Sequence, residues 1–271
     1  MANFYSRKYQ YNENYFENIN TEEKAYWLGF IAADGCISFK PKKHYRLAII
    51  LSQKDQKHLE KFKQHINSNQ PILSKRRNQF KQCNLTINGQ KITSDLISHG
   101  VIPNKTKYFR FPKTIPNNLY NHFIRGYFDG DGSFHINREN QVSINICGSH
   151  NFIKELMNIF SSLPKINKTK IFFDKNFAVL KFGGNKKVSI IYHYLYQNAT
   201  IFLGRKKDKV AKILEKKYRT KRLSLINYKK DYVLQRYSDG ATITSIAHDL
   251  GFRDGRDAIR LFLKRSGVYS S

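Results

Sequence analysis

The chain has 271 residues, of which 40% are hydrophobic, enough for one to three globular units with little disorder outside the ends. Its net charge of +28 favours nucleic acid over an anionic membrane surface as the partner. Three cysteines lie far apart, cannot all pair and show no C-x-x-C spacing, so they indicate neither a disulfide framework nor a zinc site. The longest apolar run, 25–33, is too short to cross a bilayer, and no signal peptide is evident.

These features predict a soluble, intracellular protein. Abundant Lys, Asn, Ile, Tyr and Phe indicate an AT-rich genome. We therefore expect the cytoplasm of a phage-infected or low-GC bacterial cell, or an organelle matrix.

Residues 1–20 form an N-terminal extension, and residues 21–114 read as a first half-domain. Thr21 is predicted to cap a helix that ends at Asp34-Gly35. After this helix, apolar residues recur first at alternate positions and then at helical spacing, and the two patterns continue in turn along the first half. They predict strands at Cys36–Lys40, Tyr45–Gln53, Ile72–Lys81 and Cys83–Asn88, and helices at Lys54–Asn67 and Gln90–Ser98.

Residues 115–219 repeat this order as a second half-domain. Pro116 is predicted to open a helix that reaches Phe128. The remaining spacings predict strands at Ser133–Asn137, Gln141–Cys147, Lys170–Asp174 and Phe177–Phe182, with helices at Asn151–Ser161 and Lys186–Gln197. Both halves therefore read αββαββα, which indicates a duplicated α+β core.

The last part of the chain is predicted to be all-α. A basic helix from Arg205 to Arg222 is expected to pass into a linker at 220–227. Residues 228–271 then show three short helices, with Thr242 as a cap and glycine turns between helices. This pattern favours a helix-turn-helix-like DNA-binding module over a plain three-helix packing unit.

Two matched segments carry the strongest chemical signal, since each is an apolar helix with a central glycine that closes on Asp-Gly. A carboxylate at a helix C-terminus is disfavoured by the helix dipole by up to about 1 kcal/mol, and a bound cation reverses that penalty. Side-by-side packing of the helices would bring Asp34 and Asp131 together. The small residues that permit such packing are Gly29, Ala33, Gly126 and Gly130. The alternative is that each Asp-Gly only stops a helix.

The two segments, Trp27–Gly35 and Ile124–Gly132, resemble the paired signature motifs of the LAGLIDADG homing endonucleases in their single-chain form. The resemblance covers residues 21 to about 215. It implies that Asp34 and Asp131 bind divalent metal, Mg²⁺ or Mn²⁺. The first acidic position of the motif is Ala32 in one copy and Asp129 in the other, a departure that family members tolerate.

The resemblance also implies a basic and a polar group near each scissile phosphate. Lys105 and Lys206 occupy the matching positions, with Lys207 as an alternative register. Gln53 matches the polar position of the first half, and Ser149 is its weaker counterpart.

The antiparallel strands are predicted to form a saddle that reads the major groove, because a β-ribbon presents every second side chain to base edges. Candidate DNA-binding residues of the two sheets are Ser38, Lys40, Arg46, Arg76, Arg77, Lys81, His135, Asn137, Arg138, Lys168, Lys170 and Lys181. Those of the C-terminal module are Arg253, Arg256, Arg260 and Lys264.

The sequence thus predicts two pseudo-symmetric halves and a helix-turn-helix-like unit. The expected function is a monomeric, metal-dependent DNA endonuclease that cuts both strands and, as the resemblance implies, leaves short 3′ overhangs. Two alternatives remain open at this point. One is a maturase that binds intron RNA, and the other is a non-catalytic transcription regulator on the same fold.

Overall fold

The computed structural model describes residues 8–40, 44–167, 169–252 and 256–269, with side chains outside the description at 39, 40, 44, 77, 215–224 and 227. The chain forms two compact units, Met1–Lys209 and Val210–Ser271. In the described residues, no helix is both long enough and apolar enough to cross a membrane.

The first half has the predicted order of elements. Thr21 caps the first helix by accepting a hydrogen bond from the Lys24 amide. The helices are α1 (Glu22–Asp34), α2 (Gln56–His65) and α3 (Gln90–Ser98), and the strands are β1 (Gly35–Lys40), β2 (His44–Ser52), β3 (Leu73–Arg77) and β4 (Phe80–Asn88). The strands form one antiparallel sheet in the order β1-β2-β4-β3.

The predicted break between β3 and β4 is wrong. We expected it at Gln82, but the turn lies at Asn78-Gln79. Asn78 has φ of 53°, in the left-handed region that asparagine tolerates better than most residues. The correction moves Lys81 from the third strand to the fourth, which changes the set of side chains that share a face.

The second half repeats this topology. Its helices are α4 (Tyr120–Asp131), α5 (His150–Ser161) and α6 (Asn185–Tyr196), and its strands are β5 (Gly132–Ile136), β6 (Val142–Gly148), β7 (Ile171–Phe173) and β8 (Ala178–Gly183). The sheet order is β5-β6-β8-β7, the same as in the first half. The predicted α+β fold of two αββαββα halves is confirmed.

In each sheet, alternate side chains separate a covered face from an open one. Leu47 and Ile49 of β2, with Leu85 and Ile87 of β4, are buried beneath the helices. In the second sheet Ile144 and Leu180 take the equivalent place. Each sheet therefore keeps one face, here called the open face, free for another molecule.

The C-terminal part contains α7 (Gly204–Tyr228), α8 (Lys230–Ser238), α9 (Ile243–Asp249) and α10 (Arg256–Arg265). The interval 220–227, predicted as a linker, is instead helical and continues α7, because it holds good helix formers and lacks glycine and proline. Thr242 caps α9, and Gly240 and Gly251 have positive φ at the helix ends. The buried core of this unit is Ile226, Val233, Ile246, Ala247, Ala258, Ile259, Phe262 and Leu263.

Candidate functional site

Two glycines set the closest approach of α1 and α4. A Cβ at Gly29 would lie 2.0 Å from the Phe123 carbonyl oxygen, and one at Gly126 would lie 1.9 Å from the Tyr26 carbonyl oxygen. The relation is reciprocal, as the duplication predicts. Backbone therefore packs directly on backbone, which only glycine permits at these two positions.

The last turns of both helices also meet. A Cβ at Gly130 would lie 2.4 Å from the Ala33 Cβ and 3.3 Å from the Asp34 Oδ2. The carboxylate of Asp34 therefore lies against the final turn of α4, whose last residue is Asp131. The structure thus brings the C-terminal ends of the two matched helices to one place.

The electrostatics of the two carboxyl groups reflect this arrangement. Burial, and then the neighbouring Asp131 carboxylate, raise the pKa of Asp34 to about 6. Burial also raises the pKa of Asp131, while Lys105 and Lys206 oppose that rise. Among the described residues, none donates a hydrogen bond to either side chain. The pair is therefore only partly compensated by its surroundings.

One lysine from each half reaches the end of its own helix. The Lys206 ammonium donates to the carbonyl oxygens of Phe128, Gly130 and Gly132 at 2.9, 2.8 and 2.7 Å. The Lys105 ammonium donates to the carbonyl oxygen of Gly35, the residue that aligns with Gly132. Unpaired carbonyls at a helix C-terminus favour a cation.

Burial lowers the pKa of both ammonium groups, that of Lys206 to about 8. The acidic groups of the site oppose this shift in both cases. Lys207, the alternative register, lies instead over the Phe202 ring, 3.8 Å from its centroid. The structure thus directs Lys206, and not Lys207, toward the carboxylates.

The two polar positions differ. Gln53 is half-buried at the end of β2 and donates its side-chain amide to Gln56. Ser149 is buried, donates its hydroxyl to the Phe109 carbonyl and caps α5 by accepting from the Phe152 amide. Ser149 therefore has no exposed group to offer, and its expected role is wrong because it serves as a helix cap.

Cross-strand register divides the candidate DNA-binding residues of the first sheet. Ser38 pairs with Arg46, and both lie on the open face. Arg76 pairs with Lys81 on the other face, the one that Cys83 shares, although both side chains are exposed at the far end of the sheet. The cross-strand register places further residues on the open face that the sequence analysis did not name: Lys75, Gln82, Asn84, Thr86 and Asn88.

In the second sheet, the register places His135 and Lys181 on the open face. Lys170, just before β7, extends over the Phe172 ring at 5.8 Å and is exposed. Asn137 instead stabilises the hairpin turn, because its Oδ1 accepts from the amides of Glu139 and Gln141. Arg138 is exposed in that turn. The missed open-face residues are Ser133, Ser143 and Asn145.

Two polar atoms on the open faces lack partners. The Nε of Arg46 and the Oδ1 of Asn145 are buried and make no hydrogen bond within the described residues. Buried polar atoms are rarely left unpaired.

In the C-terminal unit, three of the four basic residues named above lie on α10. Arg256, Arg260 and Lys264 are exposed at a spacing of about one helical turn, beside the face that holds the buried Ile259 and Leu263. Arg253 and Lys168 lie outside the described residues, and only the backbone of Lys40 and Arg77 is described.

Asp129, at the first acidic position of the second motif, is fully buried. Its Oδ1 accepts from the Tyr196 hydroxyl at 2.7 Å, and its Oδ2 accepts from the Tyr26 hydroxyl at 2.8 Å and the Leu203 amide at 2.7 Å. Burial raises the pKa of Asp129, and these hydrogen bonds oppose the rise. Asp129 therefore joins both halves and faces away from Asp131, because residues i and i+2 of a helix do not share a face.

A second buried link joins the middle of α4 to the start of α1. The Arg125 guanidinium donates to Glu22 at 2.6 Å and to the carbonyl oxygens of Leu195 and Ile201, both at 2.8 Å. Nothing in the motif pattern marked Arg125 or Glu22. Charge-assisted pairs of this kind fix the orientation of packed elements.

The donor set fits a divalent cation of the Mg²⁺ type. Two carboxylates, raised in pKa and not hydrogen-bonded by described residues, stand beside backbone carbonyl oxygens, and hard cations prefer oxygen ligands. In the described part of the chain, no cluster of three or more His, Cys, Asp or Glu side chains has the arrangement of a metal site. Water or phosphate oxygens would have to complete the coordination.

The chain is similar in fold to known proteins. A family profile described as a LAGLIDADG-like domain matches residues 21–98 and 118–170. The homing endonuclease I-WcaI, bound to its DNA recognition sequence, is similar over 73% of this chain and 91% of its own, with 16% identity and a TM-score of 0.52. The LAGLIDADG meganuclease I-CpaMI, bound to uncleaved DNA, is similar over 77% and 92%, with 14% identity and a TM-score of 0.49. No curated protein matches the chain.

Proposed function

We propose that this chain, whose two halves both carry the LAGLIDADG-like domain, is a site-specific endonuclease that cuts both strands of double-stranded DNA. It hydrolyses one phosphodiester in each strand with a divalent metal, Mg²⁺ or Mn²⁺, and leaves short 3′ overhangs. The observation that carries the proposal is the meeting of Asp34 and Asp131 where α1 and α4 end.

The site supports metal-assisted hydrolysis. A divalent cation held by Asp34 and Asp131 would activate water and neutralise the charge that develops on the phosphate oxygens. Lys105 and Lys206 stand beside the carboxylates and stabilise that charge electrostatically. Gln53, at the end of β2, orients the scissile phosphate or its attacking water in the first half.

The open faces support binding to a long DNA site. Alternate strand positions present Ser38, Arg46, His135 and Lys181 outward, a geometry suited to base edges in the major groove. Arg76, Lys81 and Arg138 lie at the far ends of the sheets, where phosphate contacts are the better match. The exposed row on α10 supports a further backbone contact by a helix-turn-helix-like module.

Both halves belong to one chain, so we propose that the active protein is a monomer. The two alternative functions are less well supported. A non-catalytic regulator has no use for two adjacent carboxylates of raised pKa. A maturase role in binding intron RNA remains compatible with cleavage, and no specific contact favours it.

Cleavage by carboxylate variants tests the proposal. A target duplex is first selected from a random DNA library by the Asp34→Asn, Asp131→Asn double variant, which should still bind. With Mg²⁺, the wild-type protein should break both strands of that duplex, and each single variant should lose at least about 100-fold in rate. Asp231→Asn, which removes the same charge from an exposed position on α8, should cut normally.

Binding separates a chemical defect from a folding defect. Both single variants should retain affinity for the duplex within about threefold of wild type. The negative charge that they remove is repelled by phosphate, so its loss does not weaken the attraction to DNA. Double-strand cleavage that persists in Asp34→Asn or Asp131→Asn would refute the assignment.

A further inference from the structure

The two matched lysines are held differently. Lys206 donates to three carbonyl oxygens of α4 and its end, whereas Lys105 donates to one carbonyl, that of Gly35. The two copies of the motif also differ in sequence at their first acidic position. The buried position that holds Asp129 in the second copy is occupied by Ala32 in the first.

Asp129 connects directly to the segment that carries Lys206. Its Oδ2 accepts from the Leu203 amide at 2.7 Å, and the Leu203 carbonyl accepts from the Lys206 amide at 3.0 Å in the first turn of α7. Lys206 in turn reaches back to the carbonyls on either side of Asp129. The two residues thus close a loop between α4 and the start of α7.

The carboxylate of Asp129 is itself rigidly held. The hydroxyls of Tyr196 and Tyr26 donate to it, and His58 lies 2.8 Å from the Tyr26 oxygen. Because Tyr26 donates its only proton to Asp129, His58 must donate from Nε2 to the Tyr26 oxygen. All these groups are buried, so exchange with water does not loosen the network.

We propose that Asp129 is a positioning residue that fixes Lys206 beside Asp131, and that no equivalent residue fixes Lys105. This inference rests on the proposed nuclease function for its consequence: the two strands are cut by half-sites that are built differently. Loss of Asp129 then impairs the half-site that holds Lys206 far more than the one that holds Lys105.

Amine labelling tests the positioning without DNA or metal. The full-length protein is treated with a lysine-modifying reagent, and modification of each lysine is followed by mass spectrometry. In Asp129→Asn a neutral side-chain amide replaces the carboxylate that accepts from the Leu203 amide. Lys206 should then be modified roughly tenfold faster, because a charge-assisted hydrogen bond is lost. Lys105, which is equally half-buried in the wild-type protein, should be modified at its wild-type rate.

A second variant covers the case in which Asp129→Asn does not fold. Tyr26→Phe removes one donor to Asp129 and lies on α1, the helix of the first half. We nevertheless expect it to increase labelling of Lys206, in the second half, and to leave Lys105 unchanged. A merely structural role would change both lysines alike, so equal changes, or no change at Lys206, would overturn the inference.

Strand-resolved cleavage then tests the functional consequence. On a selected duplex labelled on both strands, Asp129→Asn should slow one strand by about tenfold or more and accumulate a nicked product. Equal slowing of both strands would contradict the proposed asymmetry even if the labelling result holds. A wild-type protein that cuts neither strand would refute the nuclease function and this consequence, while the labelling result would still judge the positioning of Lys206.

Discussion

Replacing Gly126 with alanine perturbs the contact that assembles the site. The new Cβ would lie 1.9 Å from the Tyr26 carbonyl oxygen and 2.9 Å from the Phe30 amide nitrogen. Non-bonded atoms attract best at about 3.5 Å, so α1 and α4 must separate by more than about 1 Å. Because the obstacle is backbone, no side-chain rotation can relieve it.

The expected cost can be worked out from this geometry. Overpacking costs up to about 3 kcal/mol, and the alanine returns about 1 kcal/mol of helix propensity. The net loss of about 2 kcal/mol corresponds to roughly 4–8 °C in unfolding temperature for a unit of this size. The same separation moves Asp34 away from Asp131, so double-strand cleavage should fall by about 100-fold.

Thermal unfolding by circular dichroism and cleavage of a selected duplex measure the two effects. Gly183→Ala is the matched control, because its Cβ would meet no heavy atom within 4 Å. It should unfold within about 2 °C of wild type. A Gly126→Ala protein as stable as wild type, or one that is destabilised but cuts both strands at the normal rate, would refute the reasoning.

The same site and surfaces govern the pH dependence of stability, the reactivity of two thiols and the salt dependence of DNA binding. First, burial and the Asp131 carboxylate raise the pKa of Asp34 to about 6, so the folded protein binds this proton more tightly than the unfolded chain and loses stability as pH rises toward 6. Without metal, Asp34→Asn should therefore raise the unfolding temperature at about pH 7.5 and not at about pH 4. Equal changes in unfolding temperature at the two pH values would contradict this cause. Second, bound DNA should protect the exposed thiols of Cys36 and Cys147 from alkylation, with buried Cys83 unreactive throughout; thiols that react equally with and without DNA would exclude the open faces from the interface. Third, replacing Arg256, Arg260 and Lys264 of α10 with glutamine should weaken DNA binding and lower the slope of log affinity against log salt concentration by up to about 3. The control Lys230→Gln should lower that slope by at most about 1. An unchanged slope in the triple variant would remove the C-terminal unit from the DNA interface.

Much of the fold was predictable because a local signal and a repeat agreed. Strand alternation and helix caps predicted nearly every element, and the duplicated Asp-Gly segments predicted two equivalent halves. The error at β3 and β4 arose because the turn uses Asn78 in a left-handed conformation and no glycine or proline marks it. That single shift moved Lys81 to β4 and left Gln82 outside both predicted strands.

The site was only partly predictable for a different reason. Motif spacing identified Asp34, Asp131 and the matched lysines, since those positions repeat between the halves. It did not reveal that Asp129 is a buried anchor or that Ser149 is a helix cap, because those roles depend on partners far away in the chain, such as Leu203 and Phe109. Contacts at long sequence separation leave no periodic signal in the chain itself.

The most direct test of the central claim is anomalous diffraction from Mn²⁺ in crystals of the protein bound to a selected DNA duplex. If Asp34 and Asp131 hold the metal, Mn²⁺ peaks should lie about 2.1 Å from their carboxylate oxygens and next to one phosphate in each strand. Peaks bound elsewhere, or side chains of Asp34 and Asp131 directed away from the DNA with no metal between them, would contradict it.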